Sequence, residues 1–402
     1  MSNTYLININ GKDAPSKLKH ITKTLNLFKG EVLDINQAVI YKTLSVEILI
    51  KLPSNILIDD FFKEVLYTCH KLNLHVTFEK IDFDKNYPLN DSFKKRYIIT
   101  ALAKNLTSNH LHSLIDLILK DDVNVISIER LSKPKLNSAE NEGVSCIEIT
   151  LEGKGLDLEK IRREFLILSQ KGDIDLGIQE DTPYRRHRRL IAFDMDSTLI
   201  QTEVIDELAK RKGVYEEVKR ITERAMHGEL DFKESLKRRV ALLKGLEASV
   251  LFDVAKNLPL TDGALKLIKN LKILGYKIAI ISGGFTFFGE FLKRRLNIDY
   301  VFANELEIKD NVLTGKIVGD IIDGEKKAEI LKKLARLENI SLEQVIAVGD
   351  GANDLPMLNL AGLGIAFRAK PIVREGAKQS LTNVGLDAIL YFLGIRDREV
   401  VA

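Results

Sequence analysis

Four short runs in the second half of the chain, at 190–193, 277–281, 344–348 and 363–367, are apolar almost throughout instead of alternating. An alternating strand can leave one face to water, whereas a continuously apolar one must be covered on both. That is the situation of a parallel sheet between two helical layers. Helix-patterned segments such as 264–274 and 326–337 alternate with the runs, so an α/β fold is expected. A long, charged, helix-patterned insertion at about 203–257 falls between the first and second runs. It should project from the carboxyl edge of the sheet, where ligands bind in open α/β folds, and serve as a lid.

Three of the runs end in polar residues: IAFDMDST, IAIISGGF and IAVGDGAND. Neighbouring parallel strands present their carboxyl ends together, so Asp194, Asp196, Ser282, Asp350 and Asp354 are expected to converge. A lone Asp-x-Asp is commonly a turn or a helix cap, but strand ends in register are a different matter. Crowded carboxylates in a partly desolvated site need protons or a cation, and an oxygen-only set favours magnesium. Asp194 and Asp196 point the same way on an extended chain, so one can attack while the other handles protons. Phosphoryl transfer further needs donors for the phosphoryl oxygens and a positive charge. Ser282 with the Gly283 and Gly284 backbone can supply the donors. Lys326 or Lys327, in DGEKKAEILKKL, can supply the charge, and spacing does not choose between them. Asp354, four residues after Asp350, can hold a metal-bound water or pair with the lysine.

The first half repeats the order βαββαβ. The first copy has a strand at 5–9, a helix at 14–28, strands at 31–43 and 44–52, a helix at 59–72 and a strand at 73–81. The second has a strand at 96–103, a helix at 109–120, strands at 124–131 and 144–153, a helix at 157–170 and a strand at 173–179. The loop KPKLNSAENEG is polar and aperiodic. The linker DTPYRRHRR at 181–189 reads as a solvated basic hinge. Modules at 1–84 and 95–181 and a third domain at 188–402 follow.

Lys+Arg 60 against Asp+Glu 57 leaves +3 over 402 residues, which supplies no field for gripping a polyanion; no nucleic-acid partner is expected. Cys69 and Cys146 lack metal-ligand or redox spacing and read as buried free thiols. The N-terminal residues do not resemble a secretory signal and no apolar run has the length of a membrane span. A cytoplasmic protein without a membrane partner is expected.

DMDST, SGGF, the lysine before AEIL, and GDGAND resemble in order and spacing the four motifs of the haloacid dehalogenase superfamily. With VIDELA, MHGELDFKESLKRRVALLKGL and GDGANDLPML, residues 188–394 are similar to the phosphoserine phosphatase family. The resemblance implies a Rossmann-like parallel sheet with an inserted helical cap. It also implies hydrolysis of O-phosphoserine to serine and phosphate through a phospho-aspartate, the last step of serine biosynthesis. By it, Asp194 is the nucleophile, and Asp196 protonates the leaving oxygen and then activates water. Magnesium is held by the Asp194 carboxylate, the Asp196 backbone carbonyl and Asp350. Ser282 and Gly283 bind the phosphate, Lys327 rather than Lys326 stabilises it, and Asn353 contacts substrate. Arg239 clamps the substrate carboxylate, which a guanidinium fork suits, and Glu203 receives the ammonium. From position alone, Arg239 reads as a solvated helix arginine and Glu203 as an acid near a helix N-terminus. Met226 and Phe232 read equally as lid wall and as ordinary core.

The two βαββαβ units resemble paired ACT domains, which are ferredoxin-like modules that often bind amino acids at an interface. GKDAPS resembles the family loop GxDxPG with Ser16 in place of glycine, and KNLTSN lacks its proline and glycine. An amino-acid effector site and a dimerising role are both open for the front half, and a homodimer is expected. Two other functions compete. One is turnover of a different small phosphomonoester, which Arg239 and Glu203 would discriminate. The other is a non-catalytic amino-acid sensor, disfavoured because a retired site has no need of a repulsive carboxylate cluster.

Overall fold

A computed structural model describes residues 3–14, 16–82, 95–119, 123–134, 143–227 and 229–401, apart from the side chain of Met226. The polar stretch at 83–94, Pro15 and most of the 133–143 loop lie outside the described residues. The chain divides into two compact units, Met1–Ser92 and Phe93–Ala402.

The first unit runs β1 (Thr4–Lys12), α1 (Lys17–Leu27), β2 (Glu31–Ile40), β3 (Thr43–Lys51), α2 (Ile58–Lys71) and β4 (Leu74–Lys80). Its antiparallel sheet has the order β2-β3-β1-β4. Alternation along β3 turns Val46, Ile48 and Ile50 inward onto Ile7, Ile9, Phe61, Val65 and Cys69. Edge strand β2 is exposed along its whole length.

The second unit opens with the same topology: β5 (Lys95–Ala103), α3 (Ser108–Ile118), β6 (Val123–Arg130), β7 (Ser145–Gly153), α4 (Leu158–Lys171) and β8 (Ile174–Glu180), in the order β6-β7-β5-β8. Asp157 starts α4 by accepting the Glu159 and Lys160 amides at 3.1 and 3.0 Å.

The linker that follows departs from the hinge expectation. Arg185 and Arg188 are buried: Arg185 pairs with Glu148 of β7, and Arg188 donates to Gln179 Oε1 at 3.0 Å. At these two positions the basic run is a tether: Glu148 and Gln179 take guanidinium N–H groups that water would otherwise hold, although the Nε atoms of both arginines are buried without a partner among the described residues.

Beyond the tether lies a seven-stranded sheet. Its strands are β9 (Leu190–Phe193), β10 (Lys277–Phe285), β11 (Tyr300–Lys309), β12 (Val312–Val318), β13 (Val345–Gly349), β14 (Leu363–Phe367) and β15 (Gln379–Leu381). Helices α5 (Val204–Lys212), α6 (Tyr215–Met226), α7 (Phe232–Leu242) and α8 (Ser249–Lys256) form the cap between β9 and β10. The remaining helices are α9 (Ala264–Ile273), α10 (Thr286–Leu296), α11 (Gly324–Leu337), α12 (Leu355–Leu360), α13 (Pro371–Gly376) and α14 (Ile389–Phe392). The strand order is β12-β11-β10-β9-β13-β14-β15, with β9 to β11 and β13 to β15 parallel. β9, β13 and β14 are buried at every residue, as continuous apolar runs require. The sequence reading did not include the antiparallel β11–β12 hairpin. Asp310 and Asn311 turn it with φ of 49° and 61°, the left-handed pair that a tight hairpin needs.

Candidate active site

The chain leaves β9 toward β10 and returns to β13 on the other side, so β9 sits at the switch point where neighbouring strand ends open a crevice. Asp194 follows β9 directly, and its backbone N–H is tied to Val348 O of β13 at 2.9 Å. Its Oδ1 accepts the Met195 amide at 2.7 Å, and the chain then turns so tightly that Ser197 has a φ of 55°. A serine in that left-handed region is strained and persists because its surroundings hold it. Here the Ser197 Oγ donates to Glu203 Oε1 at 2.8 Å.

The turn brings Asp196 back under the first residue of cap helix α5, where its Oδ1 accepts the Val204 amide at 2.9 Å. Burial raises the Asp196 pKa well above the usual carboxylate range, with Glu203 and Asp194 adding to the effect. On β10, pairing with β11 skips from Ile281 to Phe285, so Ser282-Gly283-Gly284 bulges out of the ladder. Ser282 Oγ accepts the Gly284 amide at 3.0 Å. A Cβ on Gly284 would lie 2.4 Å from Asp196 Oδ2, so only glycine allows the approach.

The structure resolves the choice between the two lysines. Lys327 is completely buried, with its Nζ 3.0 Å from Asp194 Oδ1 and 2.6 Å from Asp354 Oδ1. Lys326 points to the surface and pairs with Glu329 at 3.2 Å. Burial pulls the Lys327 pKa down, but Asp194 and Asp354 outweigh it and the net shift is upward. Asp354 is the partner of the lysine, and its Oδ2 accepts the Asp350 and Gly351 amides at 3.1 and 2.9 Å.

Asp194, Asp350 and Asp354 each present a carboxylate oxygen within 4.8 Å of the others, a group that could hold a metal ion. Lys327 and the two amides occupy both oxygens of Asp354. Thr198 Oγ1 takes Asp350 Oδ1 at 2.8 Å. The Oδ2 atoms of Asp194 and Asp350 remain as the open oxygens, a donor set that fits a hard cation. Burial, then Asp194 and Asp354, push the Asp350 pKa up to about 8, which is the repulsion a cation would relieve.

In the cap, Arg239 is half-buried, not solvated, and donates to Ser235 O at 3.4 Å and Thr222 Oγ1 at 3.5 Å. Loss of water lowers its pKa, while Glu203 and Asp206 act to raise it. Glu203 is open to solvent, yet crowding by the protein raises its pKa and Asp194 adds to this. Phe232 of α7 lies over the bulge, its Cζ 2.8 Å from where a Gly283 Cβ would be. Asn353 is half-buried in the β13–α12 turn, its side chain beside Gly351.

Sequence reasoning missed Thr198, which orients Asp350, and Asn304. Asn304 on β11 is buried, donates to Gly283 O at 2.8 Å and accepts the Ile322 amide at 2.8 Å. The available signal was a polar residue in the mainly apolar run YVFANEL, of which only Asn304 and Leu306 are buried.

A family model for haloacid dehalogenase-like hydrolases matches residues 188–362, and one for ACT domains matches 3–79. A phosphoserine phosphatase of Streptomyces coelicolor is 38% identical over 399 residues, 99% of this chain and 94% of its own. Another, from Mycobacterium tuberculosis, is 37% identical over 398 residues with the same coverage. The crystal structure of a haloacid dehalogenase family hydrolase from Salmonella enterica serovar Typhi superposes with a TM-score of 0.64 at 36% identity. It covers 74% of this chain and 98% of that one. Identity along nearly the full length, together with the superfamily motifs gathered around β9, shows that the chain belongs to the phosphoserine phosphatase family of haloacid dehalogenase-like hydrolases.

Proposed function

We propose that the chain hydrolyses O-phosphoserine to serine and phosphate in two displacements through phospho-Asp194. The observation that carries this reading is the Asp194 carboxylate held 3.0 Å from a buried ammonium, with Asp196, two residues on, against the Ser282–Gly284 bulge. A carboxylate attacks a phosphate dianion only where positive charge screens their repulsion. Lys327 supplies one such charge. Asp194 Oδ2, Asp350 and the Asp196 carbonyl would hold Mg2+, which supplies the other.

Ser282 and the Gly283 amide bind the phosphoryl oxygens and Lys327 stabilises them. Asp194 then forms its bond to phosphorus as the bond to the serine oxygen breaks, and Asp196 gives that oxygen a proton. In the second displacement Asp196 takes a proton from water, the water oxygen bonds to phosphorus, and phosphate leaves with Asp194 restored. Arg239 and Glu203 face each other's charge in the cap and suit the carboxylate and ammonium of the amino-acid part, with Asn353 at the rim.

We assign this chemistry to 188–402 with the cap at 203–257, and amino-acid control or dimer formation to modules 1–84 and 95–181, the first of which the ACT family model matches over 3–79. Among the described residues no helix is long and apolar enough to cross a membrane, and we place the enzyme in the cytoplasm.

Asp194→Asn should abolish phosphate release from O-phosphoserine in Mg2+, because an amide is a far poorer nucleophile. Chelation should stop the wild type, with activity restored on adding Mg2+. Full turnover by the variant would refute the assignment.

A further inference from the structure

A second cleft, of about 450 Å³, lies at the β15 edge of the catalytic sheet, where α4 of the second βαββαβ module meets the segment running from α12 through α13 into β15. Arg162 and Arg163 enter it from α4, and Arg374 and Lys378 from the opposite wall. Two acids, Glu159 and Glu375, also line it, so cations exceed acids by four to two. Among the described residues neither acid forms an ion pair with these arginines. The Nε atoms of Arg162 and Arg374 are buried with no hydrogen-bond partner. A guanidinium N–H taken from water without an acceptor is destabilising. Lys378 is fixed by donating to Ala361 O at 2.7 Å. Burial lowers the pKa of Arg162 against the opposing pull of Glu159, and it lowers that of Lys378, where Glu343 acts the other way and Arg162 and Arg188 add to the fall. The cleft therefore gathers four cations against two acids from two separate parts of the fold, with Glu159 offsetting part of the Arg162 charge.

We propose that this cleft is an anion site that takes a small phosphate-bearing molecule, free phosphate included, bridging Arg162 of α4 to Arg374 of α13. Guanidinium forks match the oxygen pairs of such groups. The cavity is in the range that small ligands fill. The site lies outside the phosphoryl-transfer centre and does not depend on the function proposed above. A bound anion would clamp the second module to the catalytic domain.

The test is equilibrium dialysis of the full chain with radiolabelled orthophosphate in Mg2+. Two bound phosphates per chain are expected for the wild type, one in Arg162→Ala/Arg374→Ala, and one in Ser282→Ala/Lys327→Ala, which removes the catalytic one instead. Pyrophosphate should displace label from the second site at least tenfold better than acetate. A phosphate count that Arg162→Ala/Arg374→Ala leaves unchanged, no bound phosphate in Ser282→Ala/Lys327→Ala, or equal displacement by acetate would each overturn the proposal. If the arginine variant does not fold, the count in Ser282→Ala/Lys327→Ala still decides. So does a crystal soaked in selenate, where anomalous scattering should peak between the Arg162 and Arg374 guanidinium groups; no peak there also overturns it.

Discussion

Lys327 pairs with two carboxylates at once and is buried to do so, which makes its charge part of the structure as well as of the proposed chemistry. Asp194 and Asp350 were legible because strand-end carboxylates in a parallel sheet have few other uses. The choice of Lys327 over Lys326 was not legible from spacing, since adjacent positions on α11 differ by about 100° of helix rotation and only packing says which faces inward. Arg239 and Glu203 lie on the cap, where position alone reads as solvated charge. Asn304 was invisible because its two partners, Gly283 and Ile322, come from other segments. Asn304→Ala strands a buried carbonyl and a buried amide, at about 1–3 kcal/mol each. The expected result is a denaturation midpoint lowered accordingly and a roughly tenfold fall in kcat with a smaller change in KM. Wild-type kcat in the variant would show that the bulge does not need this brace.

At the scale of elements, the apolar runs and their helices were readable because period and length identify covered strands, whereas the β10 bulge and the left-handed Ser197 are set by neighbours. Two ties between elements are testable. Lys233 of cap helix α7 pairs at 2.8 Å with Asp323, which caps α11 by accepting the Lys326 amide at 2.9 Å. The pair is partly exposed and screened by salt. Lys233→Ala should raise KM a few-fold at low ionic strength with little change in kcat, and the difference should shrink in high salt.

Asp299 joins α9 to β10 by pairing with Lys272 and accepting the Ile278 amide at 2.8 Å. Burial acts to raise its pKa, but Lys272 and the Ile278 amide outweigh this and the net shift is downward. A carboxyl with a lowered folded pKa stabilises fully above its unfolded value, about 3.9, and loses that contribution as pH falls through the folded value. Asp299→Asn should therefore cost about 0.5–1 kcal/mol in urea unfolding at pH 7, with the gap to wild type closing as the pH falls below the unfolded value and through the lower folded one. A gap that stays constant with pH would exclude the ionic contribution.

At the scale of the whole molecule, the second module is built into the catalytic domain. Gln379 of β15 uses its side-chain amide like a strand, accepting the Ile178 amide at 3.1 Å and donating to Ile178 O at 2.6 Å. Asp175 of β8 accepts the Thr382 and Asn383 amides at 3.0 and 2.8 Å. Gly177 permits this contact, since a Cβ there would lie 2.2 Å from Phe392 Cε1 and 2.6 Å from Gln379 Oε1. Gly177→Ala should destabilise by about 1–3 kcal/mol through overpacking. Circular dichroism should show module and catalytic domain melting together at a lower temperature, and an unchanged midpoint would mean the joint is loose.

From its sequence alone, this chain determined the covered parallel sheet, the duplicated βαββαβ order and the phosphoryl-transfer motifs, because each is written in local periodicity or in residue types with few alternative uses. Tertiary structure alone decided which lysine turns inward, that Arg185 and Arg188 of the basic linker are buried as ties, and that Asn304 and Thr198 brace the site. Those outcomes depend on which distant segments arrive as partners, and hydrogen bonding and desolvation act only once they are in contact.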